Sequence, residues 1–440
     1  MEKKERKTGL IFFPAFDWAI SPTHPEREER LLYTQDQVAE EGLLDLAELL
    51  EFKPRMASLE DVSRTHICVP DPQSITSEPH LISVGGAITA AEKVLTKEAD
   101  NAFALVRPPG HHAMLVVHGA RGFCNINNEA IMVDYIRKRF GLRKIALVDT
   151  DCHHGDGTQD IFWHDPDVLC ISLHQDGRTL YPGSGFPEEM GGPNALGATI
   201  NIPLPPRTSD EGFLYVMDHL VRPVLDEFQP ELIINSAGQD NHYSDPITNM
   251  SFSAQGYARL VDRLGAQIAV LEGGYSIEAA LPYVNVGIIL AMAGLDYSHV
   301  REPDYDPDAL RQSGETTRYI EQISGQILKR WENREEMRKK VILDKRLLTR
   351  HKSIYYDTDG IRETQEETVR ICHDCGGLVT IDSRADTGRH IFAVIIPRHA
   401  CGACRDAGEA AYGKTKPGEY EAVYLQDKGK DVFLKKSGGK

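Results

Sequence analysis

Between residues 100 and 275 the chain alternates short runs of β-branched and aliphatic residues with longer amphipathic stretches. The runs NAFALVRP, KIALVD, DVLCISLH, ELIINSAG and QIAVLEGG read as strands, and residues 126–139, 157–163, 253–264 and 276–293 have helical length and spacing. Strands that are apolar at nearly every position belong to sheets buried on both faces. The alternation therefore predicts an α/β fold, a parallel sheet flanked by helices, with ligands beyond the carboxyl ends of the strands.

Past residue 300 the pattern changes. Residues 308–350 are charged and helix-compatible, with Ile320, Ile323, Ile327 and Trp331 three and four apart, which predicts a connecting helix or helix pair, solvated as a strut. Its apolar positions do not hold a heptad for three full turns, which argues against a coiled-coil dimer. YYDTDG gives a turn. Then Cys372-His-Asp-Cys375 and Cys401-Gly-Ala-Cys404 flank 25 residues rich in Val, Ile and Thr. Four thiolates at this spacing hold zinc tetrahedrally and replace the core that so short a β-segment cannot build. A redox CxxC is the rival reading, but two matched pairs without a thioredoxin-like βαβ pattern favour the metal. The expected boundaries are 1–300 for the main domain, 301–360 for a helical connector, 361–410 for a small β zinc ribbon and 411–440 for a frayed tail ending KKSGGK.

At 440 residues the chain exceeds one ordinary domain, and 41% hydrophobic with 26% charged residues excludes disorder as the default. The apolar run near the N-terminus is broken by Pro14 and Asp17, too early for a signal-peptide core, and no other reaches the roughly 18 residues of a membrane span. Of eight cysteines, Cys68, Cys124, Cys152 and Cys170 are scattered and four form the CxxC pairs. A soluble, cytoplasmic protein in a reducing compartment, without a membrane partner, is expected. Charge is unequally divided: residues 1–300 hold 23 Lys and Arg against 42 Asp and Glu, and residues 301–440 hold 26 against 24. The acidic block suits cationic small molecules or Lys-rich peptides, or serves solubility alone. Arg384, Arg389, Arg398, Arg405, Lys414 and Lys416 permit nucleic-acid contact by the ribbon without demanding it. Partner or substrate gating, homo-oligomer formation through this module and simple stapling of the terminus are the other roles open to it.

Four segments put ionisable residues just after predicted strands: Arg107-Pro-Pro-Gly-His111-His112, Asp149-Thr-Asp151-Cys-His153-His154-Gly-Asp156, Gln239-Asp240 and Gly273-Gly274-Tyr275. Any one alone reads as structural; four at one rim of one sheet read as an active site. Asp151 and His153, two apart, project to the same side and can grip one divalent ion, with Asp240 as third ligand. His111 and His112 suit proton transfer, Asp149 and Asp156 can each hold one imidazole, and Tyr275 can hydrogen-bond an oxyanion. Together these groups describe amide hydrolysis.

RPPGHHA, DTDCHHGDG, SAGQD and LEGGY, with THPERE near the N-terminus and LYPGSG in the middle, resemble the zinc-dependent histone deacetylase superfamily, which includes acetylpolyamine amidohydrolases and acetoin-utilisation proteins. The likeness runs from about residue 8 to 295, with the motifs in family order. It implies an arginase/deacetylase-type fold with a central parallel eight-stranded sheet and a deacylase of acyl-lysine peptides or proteins, or of acylated polyamines and small amides. It implies Asp151, His153 and Asp240 as catalytic zinc ligands, His111 with Asp149 as general base or electrostatic partner, His112 with Asp156 as general acid or as both, and Tyr275 as the carbonyl-polarising group. Gly122, Phe123, Tyr181 and Gly273 would meet the substrate. Asp149 and Ser172, with carbonyls of Asp151, His153 and Leu173, would form an inner potassium site, and Phe162 and Val168 an outer one. Cys372, Cys375, Cys401 and Cys404 would hold structural zinc.

Some residues depart from the family's pattern. Asn241-His242 stands in place of the common Ala-His, and Glu272 precedes Gly-Gly-Tyr; both are expected to alter the rim and acyl preference. Gly155 stands where a binuclear manganese site needs Asp. A non-catalytic acyl-lysine binding or scaffolding module is the alternative of another class, opposed by the complete set of metal, His and Tyr candidates.

Overall fold

The computed structural model describes residues 6–15, 18–21, 23–416 and 418–437, so Asp17 and the last three residues of the expected tail lie outside it. In the first 300 residues the strands are β1 (Thr8–Phe13), β2 (Leu49–Glu51), β3 (Ile67–Cys68), β4 (Asn101–Val106), β5 (Val116–Val117), β6 (Ile145–Asp149), β7 (Val168–Gln175), β8 (Thr199–Leu204), β9 (Leu232–Ala237) and β10 (Ile268–Leu271). Eight of them form one sheet in the order β2-β1-β4-β10-β9-β6-β7-β8. Every pairing in it is parallel. β3 and β5 make a separate two-stranded ladder.

Successive side chains on each strand enter opposite layers. On β4, Phe103 and Leu105 join one apolar cluster while Ala102, Ala104 and Val106 join the other. Helices close both layers, among them Asn128–Phe140, Ala254–Leu264 and Leu281–Ala293, matching the stretches legible in the sequence. The helix 128–140 starts where the Asn127 side chain accepts the Ala130 N–H and stops at Gly141, whose φ of 74° only glycine adopts freely.

Helices Gly314–Glu332 and Arg334–Asp344 follow. The first is not a solvated strut: Ile320, Ile327 and Trp331 are buried in an apolar cluster of the large domain, and Trp331 Nε1 donates to Glu227 at 2.7 Å. The spacing of three and four marked the buried stripe, and the charged residues cover the outer face.

Strands β11 (Leu347–Tyr356), β12 (Ile361–Arg370), β13 (Leu378–Ala385), β14 (His390–Ile396), β15 (Ala422–Asp427) and β16 (Val432–Ser437) form a second sheet in sequence order. Here the structure corrects two expectations. Residues 347–356, expected within the helical connector, are a strand pairing antiparallel with β12 along its full length. The stretch 411–440, expected to be frayed, contains the end of helix Gly402–Lys414 and two paired strands, with Tyr424 and Leu425 buried. The module therefore has an apolar cluster of its own and shares a second with Ile67, Val69, Leu115 and Val116 of the first domain, so it does not rest on a metal alone.

Candidate active site

β4, β10, β9 and β6 are neighbours in the centre of the large sheet, and the predicted clusters follow their carboxyl ends directly. Parallel pairing brings the four ends to one rim. Asp151, His153 and Asp240, all buried, converge there, with donor atoms within 4.8 Å of one another. His153 Nδ1 faces Asp151 Oδ1 at 3.1 Å and Asp240 Oδ2 at 2.8 Å. The surroundings are shaped for this set: a Cβ on Gly273 would lie 2.5 Å from an oxygen of each carboxylate, and one on Gly238 would meet Asp151 at 2.1 Å. Two buried carboxylates and one imidazole around a common point, with no Lys or Arg in ion-pair contact with them among the described residues, are the donor set of a divalent cation with an open position. Burial and the like charge of Asp151 push Asp240 up to about 6, and burial acts against the His153 charge while Asp240 and Asp151 raise it to about 10.

The His pair stands beside this set. His111 Nδ1 is 2.9 Å from Asp149 Oδ2, and its Nε2 is 3.8 Å from Asp151 Oδ1. His112 Nδ1 is 2.8 Å from Asp156 Oδ1, and the two imidazoles are 4.1 Å apart. Burial disfavours charge on both rings, with opposite outcomes. Asp151, Asp149 and Glu272 lift His111 well above the usual imidazole range, whereas the charge on His111 drives His112 down to about 3.

Tyr275 is fixed from three sides. Its N–H donates to Asp245 Oδ2 at 2.8 Å, the Arg30 guanidinium lies 4.9 Å from its ring centre, and Phe123 meets it edge-on at 5.6 Å. Tyr181 lies edge-on to His112 at 5.2 Å and is 36% exposed, which puts it at the opening. Gly122, with φ of 53°, passes close to His112, where a Cβ would come within 2.4 Å of the ring. Gly273, expected at the substrate, lies against the ligand carboxylates, its N–H donating to Asp151 Oδ2 at 2.7 Å.

The expected potassium residues are less concentrated. Asp149 and Ser172 are register partners across β6 and β7, with Leu173 next in line. Phe162 and Val168 are buried in the apolar layer on one side of the sheet. Asn241 and Glu272 are buried below the opening, where both find polar partners. Asn241 Nδ2 donates to Thr150 O at 2.8 Å, and Glu272 accepts the N–H of Gly110 and His111 at 2.9 and 3.1 Å.

Several supporting residues escaped the sequence reading. Glu26 accepts from Arg30 and, at 2.7 Å, from Arg107, and Arg30 donates onward to the carbonyls of Glu272 and Gly274. Glu26 lies in THPERE and Arg107 in RPPGHH, so both segments were visible but not their pairing. Burial and the facing Glu272 push Glu129 well above the usual carboxylate range. Glu129 and Asp245 carried no local signal.

The four cysteines of the C-terminal module converge as well. Cys372 and Cys375 stand on the knuckle between β12 and β13, and Cys401 and Cys404 at the start of the helix after β14. Backbone N–H groups of Asp374 and Gly377 point at the Cys372 and Cys375 sulfurs at 3.5 and 3.3 Å, although burial still raises the Cys375 thiol. The N–H of Cys404 and the neighbouring sulfurs hold the Cys401 thiol at about 7.

Residues 71–286 match the histone deacetylase domain. The chain is 48% identical over 332 residues to a probable deacetylase of Archaeoglobus fulgidus, covering 69% of this chain and 91% of that protein. It is 32% identical over 341 residues to the acetoin utilization protein AcuC of Bacillus subtilis, covering 68% and 86%. Among solved structures, the HDA15 HD domain superposes with a TM-score of 0.63 at 26% identity, covering 77% of this chain and 99% of that one.

Proposed function

Because the chain belongs to the histone deacetylase family and is a hydrolase acting on amides, we propose that it is a zinc-dependent deacylase cleaving the acyl group from the side-chain nitrogen of lysine in peptides or proteins. The observation that carries this reading is the meeting, at one sheet rim, of a three-donor cation site, two carboxylate-held imidazoles and a tyrosine. Asp151, His153 and Asp240 would hold the zinc, which when bound polarises the amide carbonyl and acidifies a water.

The protein's own groups do the rest. His112, neutral and held by Asp156, takes a proton from the attacking water and returns it to the leaving nitrogen. His111, held by Asp149, lies beside the ligand set where it can stabilise the negative charge that develops. Burial pushes the Tyr275 phenol well above its ordinary value, so it donates a hydrogen bond to the oxyanion rather than ionising. Phe123 and Tyr181 pack along the methylene stem of the substrate. Asp149, Ser172 and Leu173 would hold an inner potassium ion, with Phe162 and Val168 at an outer one, and the four cysteines a structural zinc.

Eight free cysteines fit a reducing compartment such as the cytoplasm. Among the described residues no helix is long and apolar enough to cross a membrane. The test is release of free acid by wild-type and Tyr275→Phe protein from acyl-lysine peptides, acetylpolyamines and small acyl amides. Turnover of the peptides that falls on the order of 10²-fold or more in Tyr275→Phe is expected. A preference for acetylpolyamines reassigns the substrate, and no turnover of any substrate by zinc-loaded wild type overturns the reading.

A further inference from the structure

The turn between β11 and β12, Asp357–Gly360, reaches across to residues 119–123 of the catalytic domain. The Ala120 N–H donates to Asp359 Oδ2 at 2.6 Å, and the Gly122 N–H to Asp357 Oδ1 at 2.9 Å. Gly119 leaves the room: a Cβ there would lie 2.6 Å from Asp359 Oδ2. The strand leading into the turn is itself anchored, because the Tyr356 hydroxyl bridges Val116 O at 2.9 Å and Glu363 at 2.6 Å.

The clamped segment carries three consecutive residues of consequence. Arg121 pairs with Asp156 Oδ2 at 2.5 Å, the carboxylate that also holds His112. Gly122 runs beside the His112 ring. Phe123, a non-glycine residue with φ of 69°, presents its ring edge-on to Tyr275 at 5.6 Å and to His24 at 4.3 Å. A side chain in the left-handed region costs free energy and persists only where its surroundings hold it. Here Arg121 and Cys124 close the turn with two backbone bonds of 2.9 Å, and the side-chain bonds to the backbone N–H groups of Ala120 and Gly122 come from another domain. The Asp357 charge is also felt at the opening: burial pushes the Tyr181 phenol up, Arg121 opposes this, and Asp156 and Asp357 add to it.

We propose that Asp357 and Asp359 are positioning residues of the active site, clamping the backbone of residues 119–123 so that Phe123 forms one wall of the acyl-lysine tunnel. The C-terminal module thereby sets the enzyme's affinity for the acylated side chain. The kinetic part of this inference rests on the deacylase reading; the structural part does not.

The experiment uses the full chain as wild type, D357A/D359A and D357N/D359N. Amide hydrogen exchange is followed in the peptide covering residues 119–124, alongside kcat and KM for acyl-lysine peptides. In D357A/D359A the 119–124 amides exchange at least about tenfold faster, and KM rises about tenfold while kcat falls no more than about threefold, as loss of positioning rather than of chemistry requires. D357N/D359N keeps an acceptor oxygen at each position and returns KM to within about twofold of wild type. Wild-type exchange together with wild-type KM in D357A/D359A overturns the proposal, as do Asn variants as defective as the Ala pair. Should the wild type turn over nothing, the exchange still decides the clamp, and the deacylase reading fails alone.

Discussion

In the large sheet the strands are apolar on both faces and the charged residues wait beyond one end; in the small sheet, charged residues are buried along the strands themselves. β12 shows the contrast most sharply, because Glu363, Gln365 and Glu367 alternate with exposed neighbours and all three are buried. Glu363 meets Tyr356 and Ser383, and Ser383 Oγ lies 2.8 Å from His118 of the catalytic domain. Glu367 takes His164 of that domain at 3.0 Å, with Arg350 at 3.1 Å and Lys352 at 3.3 Å from its own sheet. The first sheet thus uses burial to fix a backbone and spends its polar groups on chemistry. The second adds polar pairs across the boundary to an apolar contact with the first, and Asp160 shares Lys352 and Arg350 with Glu367.

The comparison breaks first at the strand ends. His112→Ala removes the group that handles the proton, and turnover falls on the order of 10²- to 10⁴-fold with zinc content unchanged, measured by acid release and elemental analysis. Substituting serine for Cys401 in the second region has another outcome. Metal content falls from two ions to one, and the thermal midpoint drops with loss of the closed four-cysteine site, while the Asp151, His153 and Asp240 site stays loaded. Loss of both metals in that variant would mean that the two regions are not separate.

A smaller effect sharpens the polar side of the contrast. Glu367→Gln keeps the volume and removes one buried charge while Lys352 and Arg350 keep Asp160, so stability falls by about 1 to 3 kcal/mol near neutral pH, as read from denaturant unfolding. Burial acts to raise the Glu367 pKa, but Lys352, His164 and Arg350 hold it well below the ordinary value. A depressed carboxylate contributes stability above its unfolded pKa, about 4.3, and loses it as the pH falls through the folded value. The wild-type and Gln curves therefore converge on acidification below about pH 4. Parallel curves across that range would show that Glu367 is not the group that titrates.

The contrast also explains what could be read from the chain alone. KIALVD and ELIINSAG announce their strands because both faces are buried in apolar layers, and the polar motifs stand out because they interrupt those runs at fixed places. The sequence IRETQEETVR of β12 offers no such signal. Its buried face is Glu363, Gln365, Glu367 and Val369, partly held by His164 about 200 residues away, so in the sequence it reads as a solvated segment. The same holds for Asp357 and Asp359, whose partners Gly122 and Ala120 lie more than 200 residues away. Glu272 was legible as unusual but was placed at the rim. Its burial depends on the N–H groups of Gly110 and His111, which sequence spacing does not reveal.

The most direct test of the central claim is zinc content and acyl-lysine turnover measured on the same samples of wild-type and Asp240→Ala protein. The wild type is expected to carry two zinc ions per chain and to release free acid, and Asp240→Ala to carry one and release none. Wild-type turnover by an Asp240→Ala chain holding a single zinc would contradict the assignment of catalysis to Asp151, His153 and Asp240.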